Sequence, residues 1–228
     1  MVYRIFSSLL NRSLAQCLLC GGRADYCGIC FACAEELPTL QNACETCALP
    51  LVEPARFCPA CLRQPPHFSG VQAAWHYAYP VNQLIQRFKY CGDLTAGHSL
   101  AQMAAQIIDV DQRPDLLSPI PLHWRRYWQR GYNQAQLVAE ELGRQWQLPV
   151  RPRLLCKVSA TQTQSQLNRP HRLRNLLGSF VLREDVEGLH IGLVDDVLTT
   201  GATLEAAAQK LLQEGAARVS AFVLARTP

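Results

Sequence analysis

The stretch that decides the fold is Ile191-Gly-Leu-Val-Asp-Asp-Val-Leu-Thr-Thr-Gly-Ala-Thr203. Its apolar first half predicts a buried β-strand, and its polar second half predicts a short loop that enters a helix at Ala202 or Thr203. The predicted strand ends in two adjacent carboxylates, Asp195 and Asp196. Such a strand–loop–helix unit is typical of α/β proteins, whose ligands bind at the carboxyl ends of the strands.

The loop between this strand and helix has the composition of a phosphate site. Backbone N–H groups at a helix N-terminus attract anions, a glycine lets the chain turn tightly, and hydroxyls add further donors. The carboxylates in front of the loop can accept hydrogen bonds from ribose hydroxyls. Taken singly, an Asp-Asp pair indicates a solvated turn and a Thr-Thr-Gly an ordinary helix cap, but together they point to a phosphorylated sugar. The loop residues are Thr199, Thr200, Gly201, Ala202 and Thr203.

Outward from this unit, strand and helix signals alternate over the chain that follows Pro65-Pro66. This alternation predicts an α/β domain with a mainly parallel sheet and flanking helices. Asn133 stands where a helix N-cap is expected. The predicted strands are 71–79, 190–194 and 219–224, with a proline-containing strand end and shaped loop over 116–122; the predicted helices are 81–90, 94–108, 133–146 and 204–212.

The region before residue 67 is dominated by cysteine. Eleven cysteines occur in the 228 residues, and nine of them lie between Cys17 and Cys61. A Cys-x2-Cys knuckle offers two thiolates to one ion, and two knuckles complete a tetrahedral zinc site that leaves no open position for catalysis. The spacing predicts a tandem pair of structural zinc ribbons over residues 1–66, ahead of an α/β domain over 67–228. The predicted ligands are Cys17, Cys20, Cys30 and Cys33 for one ion, and Cys44, Cys47, Cys58 and Cys61 for the other.

A disulfide framework is the alternative interpretation of these cysteines, and it goes with an oxidising compartment and a signal peptide. Residues 1–11 carry only a broken apolar stretch, and no run approaches the length of a membrane span, so we expect a cytoplasmic protein without membrane insertion. Cys27 is surplus: it could replace Cys30 by a local register change or be a spare, and both remain open. Cys91 and Cys156 are expected to pack as small apolar side chains.

The segment from Ile191 to Thr203 resembles the phosphoribosyl-pyrophosphate (PRPP) motif of type I phosphoribosyltransferases, although Gly192 departs from the usual row of large apolar residues. Two further blocks are similar to stretches of the ComF/GntX family, whose members are linked to competence and DNA utilisation. Together with the two predicted zinc ribbons, this resemblance covers nearly the whole chain. The first block is Pro119-Ile-Pro121, Arg125, Arg126 and Arg130-Gly-Tyr-Asn-Gln134; the second comprises Lys157, Thr161, Gln164, Leu167, Arg172, Asn175 and Phe180.

The resemblance implies roles for individual residues. Asp195 and Asp196 would orient the ribose as the catalytic pair, and the loop from Thr199 to Thr203 would wrap the 5-phosphate. The stretch 119–122 would be the pyrophosphate loop, and 157–175 the region of a mobile lid. Candidates for binding pyrophosphate are Arg126, Arg130 and Lys157, and Mg2+ would accompany the PRPP-type ligand.

Charge leaves two function classes open. The chain carries a net charge of +4, yet residues 119–174 alone hold ten Lys or Arg and two acidic residues. Such a basic region can bind a pyrophosphate or a nucleic-acid backbone. Interleaved aromatic side chains at Trp124, Tyr127, Trp128 and Tyr132 could stack on bases, or could simply pack a helix. The sequence therefore leaves a phosphoribosyltransferase with an unknown acceptor beside a non-catalytic protein that binds single-stranded DNA or DNA-uptake partners.

Overall fold

The computed structural model describes residues 16–25, 27–110, 113–122, 127–128, 130–157 and 179–228. The cysteine-rich part contains two short helices, and the remainder alternates strands and helices. In chain order the elements are α1 (Phe31–Glu35), α2 (Pro59–Arg63), β1 (Val71–His76), α3 (Val81–Tyr90), α4 (Leu94–Ile107), β2 (Leu116–Pro119), α5 (Gln134–Trp146), β3 (Leu155–Lys157), β4 (Phe180–Leu182), β5 (His190–Leu198), α6 (Ala202–Gln213) and β6 (Arg218–Arg226).

Four of the strands form one parallel sheet in the order β1-β6-β5-β2, while β3 and β4 form a separate antiparallel pair. The carboxyl ends of the four parallel strands therefore lie at the same end of the sheet, as the predicted fold class requires. Strand β5 is longer than predicted because Asp195, Val197 and Leu198 continue the pairing with β6. The two carboxylates thus lie within the strand, and the loop begins at Thr199, after the last strand residue Leu198.

The sheet divides the apolar core into two layers. Val194 and Phe222 point into the layer that holds α3, α4 and α5, whereas Leu193 and Ala221 point into the layer that holds α6. This is the alternation expected of strands covered on both faces. The cysteine-rich part contributes to both layers: Ile29 packs in the first, and Ala48 packs in the second.

The two outer strands of the sheet, β1 and β2, are each partly covered by irregular chain. Thr39 forms an antiparallel bridge with Trp75 of β1, and the amide of His76 donates to the carbonyl of Pro38 at 2.8 Å. At the opposite edge, Val150 bridges to Leu117 of β2. Covered edges have no unpaired backbone groups to offer to other chains. The cysteine-rich part thus completes the sheet on the β1 side.

Several local predictions are confirmed and one is wrong. Asn133 caps α5, because its Oδ1 accepts from the amide of Ala135 at 3.1 Å. Helix α6 begins at Ala202, as predicted, and is followed by Gly215 at φ +94°. Cys91 is exposed, so it does not pack as a buried side chain; it follows the last residue of α3, beyond the buried face of that helix. Across the described ranges, no helix has the length and apolar character needed to span a bilayer.

Candidate functional site

The centre of the candidate site is the carboxylate pair in β5. Asp196 is buried and Asp195 is half-buried, and the amide of Asp196 donates to Oδ1 of Asp195 at 2.9 Å. Burial, followed by the charge of Asp196, raises the pKa of Asp195 to about 7. The positive charges of Lys89 and Lys157 act in the opposite direction. One carboxyl of the pair therefore changes its ionisation near neutral pH, a perturbation common at ligand sites.

Lys89 is a site residue that the sequence analysis missed. It lies in the last turn of α3, and its Nζ is 2.9 Å from Oδ1 of Asp196. Both side chains are largely shielded from water, with 18% and 11% of their surfaces exposed. The only local signal was a lysine next to Phe88, a buried position of an amphipathic helix, and a surface lysine has the same neighbours. This ion pair fixes the orientation of the Asp196 carboxylate.

The loop after β5 has the geometry of an anion site. Gly201 adopts φ +77° at the N-cap of α6, a conformation that glycine takes without strain. The amide of Ala202 donates to Oγ1 of Thr200 at 3.5 Å, and the first amides of α6 have no carbonyl of a preceding turn to bond. Thr199 and Thr200 are exposed, so their hydroxyls are open to a ligand. These groups can bind a phosphate at the positive end of the helix dipole.

Two other predicted segments, the loop 119–122 and Lys157, lie at the carboxyl end of the parallel sheet. Beyond β2, the amide of Ile120 donates to the carbonyl of Val194 at 2.8 Å, and Nδ2 of Asn133 donates to the carbonyl of Ile120 at 3.0 Å. Asn133 therefore holds the loop 119–122 against α5. Lys157 ends β3, and its Nζ is 5.7 Å from the centroid of the Phe180 ring.

Of the other pyrophosphate candidates, Arg130 contacts Tyr90, the neighbour of Lys89, and Arg126 falls outside the described residues. The Arg130 guanidinium is 5.1 Å from the centroid of the Tyr90 ring, and its Nη1 donates to Oε1 of Gln134 at 3.1 Å. Tyr90 follows Lys89 directly. The predicted lid over 157–175 is described only at Lys157.

The eight knuckle cysteines form two groups of four, with the pairing predicted from spacing. In each group the sulfur atoms all lie within 4.8 Å of one another. The Sγ–Sγ distance is 3.7 Å both between Cys20 and Cys30 and between Cys47 and Cys58. A tetrahedral zinc site with Zn–S bonds of about 2.3 Å has edges of about 3.8 Å, so the spacing and the donor set fit zinc. We call Cys17, Cys20, Cys30 and Cys33 the first cluster, and Cys44, Cys47, Cys58 and Cys61 the second cluster.

Backbone amides prepare one thiol of each cluster for ionisation. Burial opposes ionisation of Cys17, but amide hydrogen bonds led by those of Cys20 and Cys30 lower the pKa of its thiol to about 6. Cys44 has the matching environment in the second cluster, with a pKa lowered to about 7. Cys27 lies outside the first group of four, and burial, with Asp25 and Glu141, raises the pKa of its thiol. Cys30 therefore belongs to the group of four sulfur atoms, and Cys27 does not.

Comparison with known proteins agrees with this architecture. Residues 131–228 match the family model described as phosphoribosyl transferase domain. The fold and the two cysteine clusters thus define a phosphoribosyltransferase-type domain joined to a double zinc-ribbon arrangement. The chain is 34% identical over 206 residues to DNA utilization protein YhgH of Salmonella typhimurium, covering 88% of this chain and 91% of the relative. It is 31% identical over 229 residues to Competence protein F of Haemophilus influenzae, covering 96% and 100%. The chain belongs to the ComF/GntX family of competence and DNA-utilisation proteins.

Among solved structures, adenine phosphoribosyltransferase from Leishmania tarentolae aligns with 71% of this chain and 92% of its own. The identity is 11% and the TM-score is 0.41.

Proposed function

We propose that this protein binds PRPP, or a related phosphoribosyl ligand, together with Mg2+ at the carboxyl edge of the parallel sheet. Asp195 and Asp196 would accept hydrogen bonds from the ribose hydroxyls, and the loop from Thr199 to Thr203 would hold the 5-phosphate. Lys157 and Arg130 would face the pyrophosphate. The ligand would connect phosphoribosyl chemistry to DNA use, because the relatives are named for DNA utilisation and competence.

One observation carries this proposal: the carboxylate pair and the helix N-terminus lie on the same strand–loop–helix unit at the same sheet edge. Asp196 is held by Lys89 at 2.9 Å, and the backbone of the loop turns at Gly201 with φ +77°. A phosphoribosyl ligand carries both ribose hydroxyls and a 5-phosphate. A ligand with both groups therefore matches the two halves of the site better than a free phosphate or a free sugar does.

The reaction that this arrangement suits is displacement at C1 of the ribose. A nucleophilic nitrogen would form a bond to C1 as the C1–O bond to pyrophosphate breaks, and the electron pair would leave with the pyrophosphate. The described residues would orient the ribose and hold the two anionic ends, which favours an oxocarbenium-like state. Bound Mg2+ would neutralise charge on the departing pyrophosphate oxygens.

The cysteine clusters would bind two structural zinc ions, and we propose that they form a module over residues 1–66 attached to the domain over 67–228. All four donors in each cluster are cysteines, so neither ion would have a free position for a substrate. The clusters would therefore support the site rather than take part in its chemistry.

The test is isothermal titration calorimetry of the full chain with PRPP and Mg2+. We expect binding by the wild type and loss of at least about tenfold in affinity for Asp195→Asn with Asp196→Asn, because removing hydrogen bonds to charged groups costs about 1.5–3 kcal/mol each. Asp109→Asn with Asp185→Asn is the matched control, since it removes the same charge from exposed positions. Absence of wild-type binding, or equal weakening by both double variants, would sink the assignment.

A second function, binding of single-stranded DNA, is favoured by a separate observation. Tyr90, Tyr127 and Trp128 are exposed by 72%, 50% and 82%, next to Arg130 in space or in sequence. Exposed aromatic rings beside arginine are suited to stacking on bases and contacting phosphates. Partner proteins of DNA uptake could use the same surface.

This function is tested by fluorescence anisotropy with a labelled oligo-dT strand at increasing salt. We expect salt-dependent binding that Trp128→Ala weakens by about tenfold, the scale of one base stack. Phe31→Ala is the control, because Phe31 is an equally exposed ring at 70% in the cysteine module. Arg125→Ala and Arg126→Ala extend the series to predicted arginines outside the described residues. Indifference to Trp128→Ala would count against the surface.

A further inference from the structure

Arg226 connects the second cluster to the loop from Thr199 to Thr203, which we call the phosphate loop after its proposed ligand. It is the last residue of β6, and only 7% of its surface is exposed. Its Nε donates to the carbonyl of Cys47 at 3.1 Å, while Nη1 donates to the carbonyls of Leu198 and Thr199 at 3.2 and 2.7 Å. One guanidinium thus joins a knuckle of the second cluster to the last residue of β5 and the first residue of the loop.

The set of groups around the Arg226 guanidinium is unusual for a buried charge. Within the described ranges, the hydrogen-bond partners of Arg226 are backbone carbonyls and the Thr227 hydroxyl, and it makes no salt bridge with a carboxylate. A buried guanidinium without a counter-ion is costly unless other negative charge lies nearby. Four thiolates around a divalent zinc ion carry a net charge of about −2. The second cluster, when loaded, would therefore place net negative charge beside the Cys47 carbonyl that Arg226 binds.

Apolar packing supports the same connection. Ala48, which follows Cys47, has φ +53° and donates its amide to the carbonyl of Cys44 at 2.8 Å. Its side chain is 2% exposed and belongs to the buried layer that contains Leu198 and Leu204. Those two residues flank the phosphate loop. The knuckle thus shares an apolar layer with the residues that flank the loop, in addition to its connection through Arg226.

The first cluster lacks this connection among the described residues. Its neighbourhood contacts α3 and α4 instead: Nη1 of Arg87 donates to the carbonyl of Leu18 at 2.9 Å, and Ile29 packs with Phe88 and Leu100. The two clusters therefore provide a matched pair for experiment. A ligand cysteine can be removed from either cluster with the same local chemistry and different distant contacts.

We propose that Arg226 is a positioning residue through which the folded second cluster holds the phosphate loop in its binding conformation. This inference rests on the proposed function of the loop. Its consequence is selective: loss of Arg226 or of the second cluster weakens ligands held by their 5-phosphate and spares ligands held only through pyrophosphate.

The experiment compares Arg226→Gln, Arg226→Lys, Cys61→Ser and Cys33→Ser in the zinc-loaded full chain. Cys61 and Cys33 are the equivalent last ligands of the two clusters. Calorimetry measures affinity for ribose 5-phosphate and, separately, for pyrophosphate with Mg2+. Zinc content per chain and amide hydrogen exchange over residues 198–204 are measured without any ligand.

We expect Arg226→Gln to keep both zinc ions, to lose about tenfold in ribose 5-phosphate affinity, and to exchange the loop amides about tenfold faster. Pyrophosphate affinity should stay within about twofold, because that subsite lies on other loops. Cys61→Ser should speed the exchange of the loop amides in the same way, Cys33→Ser should leave that exchange unchanged, and Arg226→Lys should restore part of the loss by keeping the charge.

Two results would overturn the proposal: unchanged loop exchange and ribose 5-phosphate affinity in Arg226→Gln, or equally faster loop exchange in Cys33→Ser and Cys61→Ser. If Arg226→Gln fails to fold, the cysteine pair and Arg226→Lys decide the question in the same way. If the wild type binds neither ribose 5-phosphate nor PRPP, the proposed function fails, while loop exchange in the variants still decides whether Arg226 couples the cluster to the loop.

Discussion

The two cysteine clusters have nearly the same spacing and internal geometry, yet they support different halves of the candidate site. The first cluster packs against α3, the helix whose Lys89 holds Asp196. The second shares an apolar layer with the residues that flank the loop from Thr199 to Thr203, and Arg226 joins it to that loop. A repeated sequence unit thus acquires distinct roles from the surfaces it meets. The two clusters are similar units, and the contacts of each one determine which part of the candidate site it stabilises.

Among the predictions that test this comparison, zinc removal has the largest expected effect on stability. Structural zinc sites in small fingers contribute apparent binding free energies of about 10–16 kcal/mol, so chelation should unfold residues 1–66. Much of the α/β domain should stay folded, with a lowered Tm, because Ile29 and Ala48 leave its two apolar layers. Circular dichroism and zinc release are followed together during titration with chelator. A single cooperative loss of both parts would contradict the division at residues 66 and 67.

Gly28→Ala tests how the first cluster docks on α4. Gly28 has φ +75°, and a Cβ there would lie 2.8 Å from Oγ of Ser99. We expect a loss of about 2–3 kcal/mol in the free energy of unfolding, from left-handed strain and the contact together. Gly21→Ala is the control: it has φ +73° and no atom within 4 Å, so only the strain of about 1 kcal/mol remains. Equal losses in urea denaturation would mean that Ser99 does not support the cluster.

Asp195→Asn tests the raised pKa of the carboxylate pair in β5. Because its pKa is raised to about 7 in the folded chain, Asp195 is protonated there at pH values where it is ionised in the unfolded chain. Its ionisation therefore lowers the free energy of unfolding progressively as pH rises from about 4 to about 7. Asp195→Asn should stabilise the protein more at pH 8 than at pH 5. Urea denaturation at both pH values checks this, with Asp185→Asn as the exposed control; a pH-independent difference would contradict the raised pKa.

The smallest expected effect is a difference in stability between substitutions of two arginines, one near each cluster. Arg87 bonds to Asp93 at 2.6 Å and to the carbonyl of Leu18 near the first cluster. Arg87→Met should cost about 1 kcal/mol, a figure reduced because the side chain is partly solvated. Arg56 forms an exposed pair with Glu45 beside the second cluster, and Arg56→Met should leave thermal stability unchanged. A larger loss for Arg56→Met than for Arg87→Met would reverse this ranking.

Patterns that act over a few residues were predictable. The unit from Ile191 to Thr203, the cap at Asn133 and the pairing of knuckles all depend on neighbours in the chain, which hydrophobic period and ligand spacing report directly. The limits of β5 were less predictable, because its extension to Leu198 depends on pairing with β6. Lys89 was missed for a similar reason. It meets Asp196 only after α3 has packed beside the sheet, and its local sequence resembles that of any solvated lysine.

By itself, the sequence determined the fold class, the two cysteine clusters, and the strand, loop and helix that carry the candidate site. These features follow from side-chain periodicity, metal-ligand spacing and the conformational freedom of Gly201. The tertiary structure alone decided which cluster supports which half of the site. Arg226 and Cys47 are 179 residues apart, and a contact at that separation is set by the packing of the whole sheet. A buried charge takes its role from the groups that surround it, and only the folded chain brings those groups together.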